Sequence, residues 1–108
     1  MKKVIDTLER AMHRNQMRLH VKTPVRAFYI GKDRPLAIEI TECDQMYFFV
    51  AVMMDQTIVY LKLHAYEIDT FGVKLIDVIC RNWQDQRKDI SYMNLGSNIE
   101  EFVKMIKN

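Results

Sequence analysis

Met46-Tyr47-Phe48-Phe49-Val50-Ala51-Val52-Met53-Met54 decides how this chain is read. Side chains of a strand alternate between two faces, so a half-buried strand is polar at every second position. Here both alternating sets are apolar: Met46, Phe48, Val50, Val52 and Met54 on one face, Tyr47, Phe49, Ala51 and Met53 on the other. The short length and the aromatic and β-branched content favour a strand over a buried helix. The stretch predicts a strand in the middle of a sheet, covered on both faces.

Working outward, Glu42-Cys43-Asp44-Gln45 and Asp55-Gln56 are polar turns on either side. Residues 36–41 alternate, with Leu36, Ile38 and Ile40 inward and Ala37, Glu39 and Thr41 outward. Residues 57–64 place Val59, Leu61 and Leu63 on one face and Ile58, Tyr60, Lys62 and His64 on the other. A further strand, residues 25–30, follows Pro24 at an entrance where no ladder donor is needed. It leads into the turn Gly31-Lys32-Asp33-Arg34-Pro35. Connections this short force antiparallel pairing, because parallel strands need a long crossover. The expectation is a four-stranded antiparallel meander.

Helices flank it. From residue 2 to about residue 19, Val4, Ile5, Leu8, Ala11, Met12, Asn15 and Leu19 share one side of a helix, and Lys3, Arg10, Arg14 and Arg18 the other. Arg10, Arg14 and Arg18 are successive i, i+4 neighbours, and such like-charge pairs cost a few tenths of a kcal/mol each. Asp6 offsets Arg10 alone, so the row is a candidate anion contact beside the plainer reading of a solvated face. Thr23-Pro24 ends the helical region. A second helix starts at Asp69 or Thr70, either of which can cap it. Its stripe is Phe71, Leu75, Ile76, Ile79, Cys80 and Trp83; Val73 and Val78 lie off it and leave a strand possible for part of the segment. Residues 84–89 are polar, residues 90–95 are a candidate short fifth strand, and Gly96 closes them. Ser97-Asn98-Ile99-Glu100 fits a capping box for a last helix carrying Ile99, Phe102, Val103 and Ile106 on one side. The fold class is α+β, one domain over residues 1–108: an N-terminal helix, a four-stranded antiparallel meander and two C-terminal helices, with a possible fifth strand.

A chain of 108 residues, 49% hydrophobic and 28% charged, can bury a core without disulfides or metal. No apolar run reaches the roughly 18 residues of a membrane span, and acids follow the opening lysines at once, so no signal segment forms. A cytoplasmic location is expected, with Cys43 and Cys80 as free thiols. The net charge of +2 is unevenly spread. Residues 1–34 hold nine basic side chains against three acidic, a net +6; residues 35–70 hold one against six, a net −5. Such asymmetry steers a partner, or pairs two regions of one fold.

Motifs for chemistry are missing. His13 and His20, seven apart on the first helix, lie about 10 Å apart along its axis and cannot share an ion at the usual i, i+4 spacing. His64 stands near Glu67 and Asp69, a common arrangement at a strand end. Cys80 belongs to an apolar stripe and Cys43 has no histidine nearby in sequence. Three separate glycines form no phosphate-cradling loop. Glu39, Glu42, Asp44 and Asp55 match no carboxylate motif. The expectation is a non-enzymatic protein without cofactor or metal, a regulator such as an inhibitor or adaptor that binds another protein as a homodimer. Arg10, Arg14, Arg18 and Lys62 are its expected polar contacts, and Met17 and Tyr60 its apolar anchors. Met17 is chosen because it falls on the polar side of the first helix. The alternative is a nucleic-acid binder whose basic helix face, with Lys22, Arg26, Lys32 and Arg34, contacts phosphates.

Overall fold

In the computed structural model, residues 2–44, 46–54, 57–82 and 92–94 are described. The apolar stripe of Val4, Ile5, Leu8, Ala11 and Met12 forms helix α1, Lys2–Arg14, and all five residues are buried. The helix stops five residues short of the expected end. Asn15 turns its side-chain amide back onto the Ala11 carbonyl at 2.8 Å, and Gln16 takes a left-handed φ of 59°. That conformation ends helices by reversing the chain. The next residues, Met17-Arg18-Leu19-His20-Val21-Lys22, are strand β1, Met17–Lys22. Leu19 fits a helical stripe, but the apolar-basic alternation around it has the period of a strand, and the strand wins.

β2, Arg26–Gly31, β3, Leu36–Asp44, β4, Tyr47–Met54, and β5, Thr57–His64, form the expected meander. With β1 the antiparallel part of the sheet has five strands, one more than expected. Helix α2, Ala65–Asn82, follows β5 directly. Its cap is neither Asp69 nor Thr70. The His64 Nδ1 accepts the Tyr66 N–H and Glu67 Oε1 accepts the His64 N–H, both at 3.0 Å, a capping box with histidine in the usual Ser/Thr place. Val73 and Val78 are helical. The chain returns as β6, Tyr92–Asn94, parallel to β5 with Ile58 opposite Tyr92 and Tyr60 opposite Asn94. A crossover this long permits the parallel pairing that a tight turn cannot make. The strand order is β1-β2-β3-β4-β5-β6. The helix expected over residues 97–108 lies outside the described residues, as do Trp83 and the Asp55-Gln56 turn.

One core gathers α1, α2 and a single face of the sheet. Tyr29, Leu36, Ile38, Ile40, Phe48, Val50, Val52, Met54, Val59, Leu61 and Leu63 are buried together with Leu8, Met12, Ile68, Leu75, Ile76 and Ile79. The expectation that β4 is covered on both faces does not hold for the described elements. Both helices share the face of Phe48, Val50, Val52 and Met54; on the other face Tyr47 is exposed and Phe49 and Met53 are half-buried. Met46 lies before β4 and is 55% exposed.

Two devices lock the helix layer. Gly72 sits where α2 crosses α1, and a Cβ there would lie 2.8 Å from Leu8 Cδ2. Arg34, from the β2–β3 turn, reaches under both helices. It donates to the Asn15 carbonyl just past α1 and to the Cys80 carbonyl in the last turn of α2, the latter at 3.1 Å, and its Nη2 lies 3.6 Å from Met17 Sδ. Helix C-termini present unpaired carbonyls and a partial negative charge, so one guanidinium answers two of them.

Candidate interaction surfaces

The six residues expected to form a binding site do not form one patch. Arg14 closes on Asp77 of α2 with N···O distances of 2.8 and 2.6 Å, and Asn15 Nδ2 holds the same carboxylate at 2.7 Å. The Arg14 hydrogen bond, which outweighs the desolvation of Asp77, holds that carboxyl below its ordinary range. Arg14 thus ties the helices together. Met17 is a correction: as the first residue of β1 it is 2% exposed and belongs to the core. The helix that placed it on a polar surface ends before it. Arg18 is on β1, so the expected arginine row is broken after Arg14. His13 and His20 likewise sit on α1 and β1, not on one helix.

Tyr60 and Lys62 do share a surface, the sheet face opposite the helices. Strand register arranges that face in rows: Ile30, Ala37, Met53 and Ile58; Phe28, Glu39, Ala51 and Tyr60; Arg26, Thr41, Phe49 and Lys62. All of these except Ala51 and Lys62 are half-buried; Ala51 is buried and Lys62 is exposed. The Lys62 ammonium stands 5.1 Å from the Tyr47 ring centroid and 5.9 Å from that of Phe49. His64 meets Tyr47 edge to face at 5.1 Å. Arg26 donates to Glu39 at 2.7 Å and lies 5.5 Å from the Phe28 ring. The face is therefore mainly apolar, with Glu39 in its middle row held by Arg26 and Lys62 standing over aromatic rings.

A second surface is the β1 edge. Among the described residues β1 pairs only with β2, and the register slips between Leu19 and Val21. Arg18, Leu19, His20, Val21 and Lys22 are all exposed. Residues 10–32 contain no acid. Arg14 and Arg26 are ion-paired; Arg10, Arg18, Lys22 and Lys32 have no carboxylate within ion-pair distance among the described residues.

Reactive groups are dispersed. Both cysteines are free, Cys43 exposed and Cys80 buried. Burial pushes the Cys80 thiol up, against the pull of the nearby Arg34 charge. Burial, with Glu9 adding to it, likewise raises the Tyr29 hydroxyl, which has no hydrogen-bond partner among the described residues. His13 lies 3.7 Å from Glu9 on an exposed helix face, and the imidazole and amide of His64 serve the cap of α2. Among the described residues no three His, Cys, Asp or Glu side chains gather as a metal site. Comparison with protein-family models, curated proteins and solved structures finds no match to this chain. The surfaces themselves carry the argument.

Proposed function

We propose that this protein is a small non-enzymatic regulator, an inhibitor or adaptor, that works by binding another protein and is itself a homodimer. The observation that supports this is the second apolar face of the sheet: β4 is apolar on both sides, and among the described elements α1 and α2 occupy only one. A sheet with an apolar face is stable when a second layer covers it. A second copy supplies a surface of the same size and the same mainly apolar character, its Glu39 already paired with Arg26, and two sheet faces pack about 10 Å apart with side chains interdigitated. Tyr60 and Lys62 keep their proposed contact role there; Met17 and Arg14 leave it. None of the helices among the described residues is long and apolar enough to cross a membrane, and the cytoplasm is the compartment we propose.

Molar mass by light scattering tests the dimer. The native chain is expected at twice its 12.9 kDa mass. Met53→Glu, which puts a charge in the centre of the face but outside the core, is expected to give a folded monomer. A monomeric native chain overturns the reading, and so does a variant that remains dimeric.

A second reading rests on the acid-free stretch of residues 10–32. Its Arg10, Arg18, Lys22 and Lys32, unpaired among the described residues, would bind a phosphate backbone, with an affinity that falls steeply with salt.

A further inference from the structure

We infer that the β1 edge is a docking site for an extended, acidic peptide segment, which adds to the sheet as a seventh strand. The inference rests on the interaction-protein reading above and names the chemistry of the partner. A strand at a sheet edge has a row of backbone donors and acceptors facing outward, and a peptide of any sequence can complete the ladder. Specificity then comes from side chains. Along β1 the exposed set is Arg18, Leu19, His20, Val21 and Lys22, basic and apolar by turns, with Lys32 joined to its start through an N–H to Gln16 O bond of 3.0 Å.

The register shows how the charges are disposed. Arg18 opposes Ile30 and so lies on the sheet face opposite α1 and α2; Lys22 opposes Ala27, a core residue, and lies on the helix side. A strand laid along β1 therefore meets a cation on each of its two faces. Leu19 and Val21, 42% and 37% exposed, offer apolar contact between them.

The same charges exclude a second copy from this edge. Two β1 strands paired about a two-fold axis would set Arg18 and Lys22 of one against the basic residues of the other, with no acid on either, and like charges across a ladder are destabilising. His20, at the bulge, has no register partner on β2, and its ring meets Phe28 edge to face at 6.0 Å. An acidic strand turns that repulsion into attraction. The protein would then use two surfaces: its sheet face for its own copy, its edge for the partner.

The test uses the full chain and fluorescein-labelled peptides followed by anisotropy. An alternating valine–glutamate octapeptide is expected to bind and its valine–lysine counterpart is not. Two further versions of the acidic peptide, N-methylated on odd or on even residues, distinguish strand addition from simple charge attraction. Only one set of amides faces β1, so one version is expected to lose binding and the other to retain it. Replacing Arg18 and Lys22 together by Glu is expected to weaken the acidic peptide about tenfold or more, since rim charges act on both encounter and affinity. The inference is overturned if the acidic peptide does not bind, if both N-methylated forms bind equally, or if an oligothymidylate binds more tightly and with steep salt dependence. Light scattering on the native chain, beside its peptide titration, separates the two readings. A dimeric mass without peptide binding refutes the edge alone, and a monomeric native chain that still binds peptide refutes the sheet-face dimer alone.

Discussion

Arg34→Ala removes the one side chain that joins the ends of both helices. Two hydrogen bonds from a charged donor are lost, to the carbonyls of Asn15 and Cys80. Such bonds contribute about 1.5–3 kcal/mol each when their partner stays buried, and a cation at a helix C-terminus adds about 0.3–1 kcal/mol. Three terms reduce this. The released carbonyls are at helix ends, where water can reach them. The guanidinium is half-buried with no carboxylate partner among the described residues, and its Nε is buried without a hydrogen bond, so the native state already bears a desolvation cost. The expected net loss is about 2–3 kcal/mol, or roughly 10–15 °C in Tm for a domain of this size. Arg34→Met keeps most of the apolar stem and is expected to lose about half as much; Arg34→Lys keeps the charge but cannot fork to two carbonyls and should fall near Met. Urea unfolding followed by circular dichroism at one fixed protein concentration reads all three, since dimerisation makes stability concentration-dependent. An Ala variant within about 0.5 kcal/mol of the native chain would refute the clamp.

Gly72→Ala gains up to about 1 kcal/mol of helix propensity, yet its methyl would stand 2.8 Å from Leu8 Cδ2 and 3.1 Å from Ile68 Cγ2, both on buried residues. Overpacking of this kind costs about 1–3 kcal/mol, so thermal unfolding should show a net loss for Ala and a larger one for Val; a more stable Ala variant would mean the helices can separate freely. Asp77 is held below its ordinary value of 3.8, chiefly by the Arg14 hydrogen bond. Its contribution is therefore present above that pH and disappears as pH falls through the lower native value. Asp77→Asn should be less stable than the native chain at neutral pH, with the gap closing below about pH 4; a gap that persists in denaturant titrations at pH 2 would contradict this. Ellman's reagent should label Cys43 quickly in the folded protein and reach Cys80, 7% exposed and with its thiol pushed up, only on unfolding. Fast labelling of both thiols would place Cys80 outside the core.

The strands of the meander were legible because strand alternation is local. Leu36, Ile38 and Ile40 against Ala37, Glu39 and Thr41, and Val59, Leu61 and Leu63 against Ile58, Tyr60 and Lys62, sort to the faces their spacing predicts. The end of α1 was not legible. Leu19 satisfies a helical stripe and a strand alternation equally, and the left-handed Gln16 that decides between them is not a residue type that announces such a turn. His64 was read as a strand-end residue beside two acids, and its capping box with Glu67 moved the start of α2 forward by a turn. A sequence scan for Ser, Thr, Asp or Asn caps passes over it.

Taken alone, the amino-acid sequence determined the strands from β2 to β5, the alternation of β3 and β5, the antiparallel meander that short turns impose, and a β4 with no polar face. These follow from sterics and periodicity within a few residues. Tertiary structure decided the rest. It placed α1 and α2 on the same side of the sheet, opposite the Tyr47, Phe49 and Met53 face. It closed Arg14 on Asp77, brought Arg34 beneath two helix ends, and drew Met17 into the core. Those outcomes join residues far apart in the chain. Which layer covers an apolar face, and which carboxylate meets a given arginine, depends on packing between elements that no local pattern encodes.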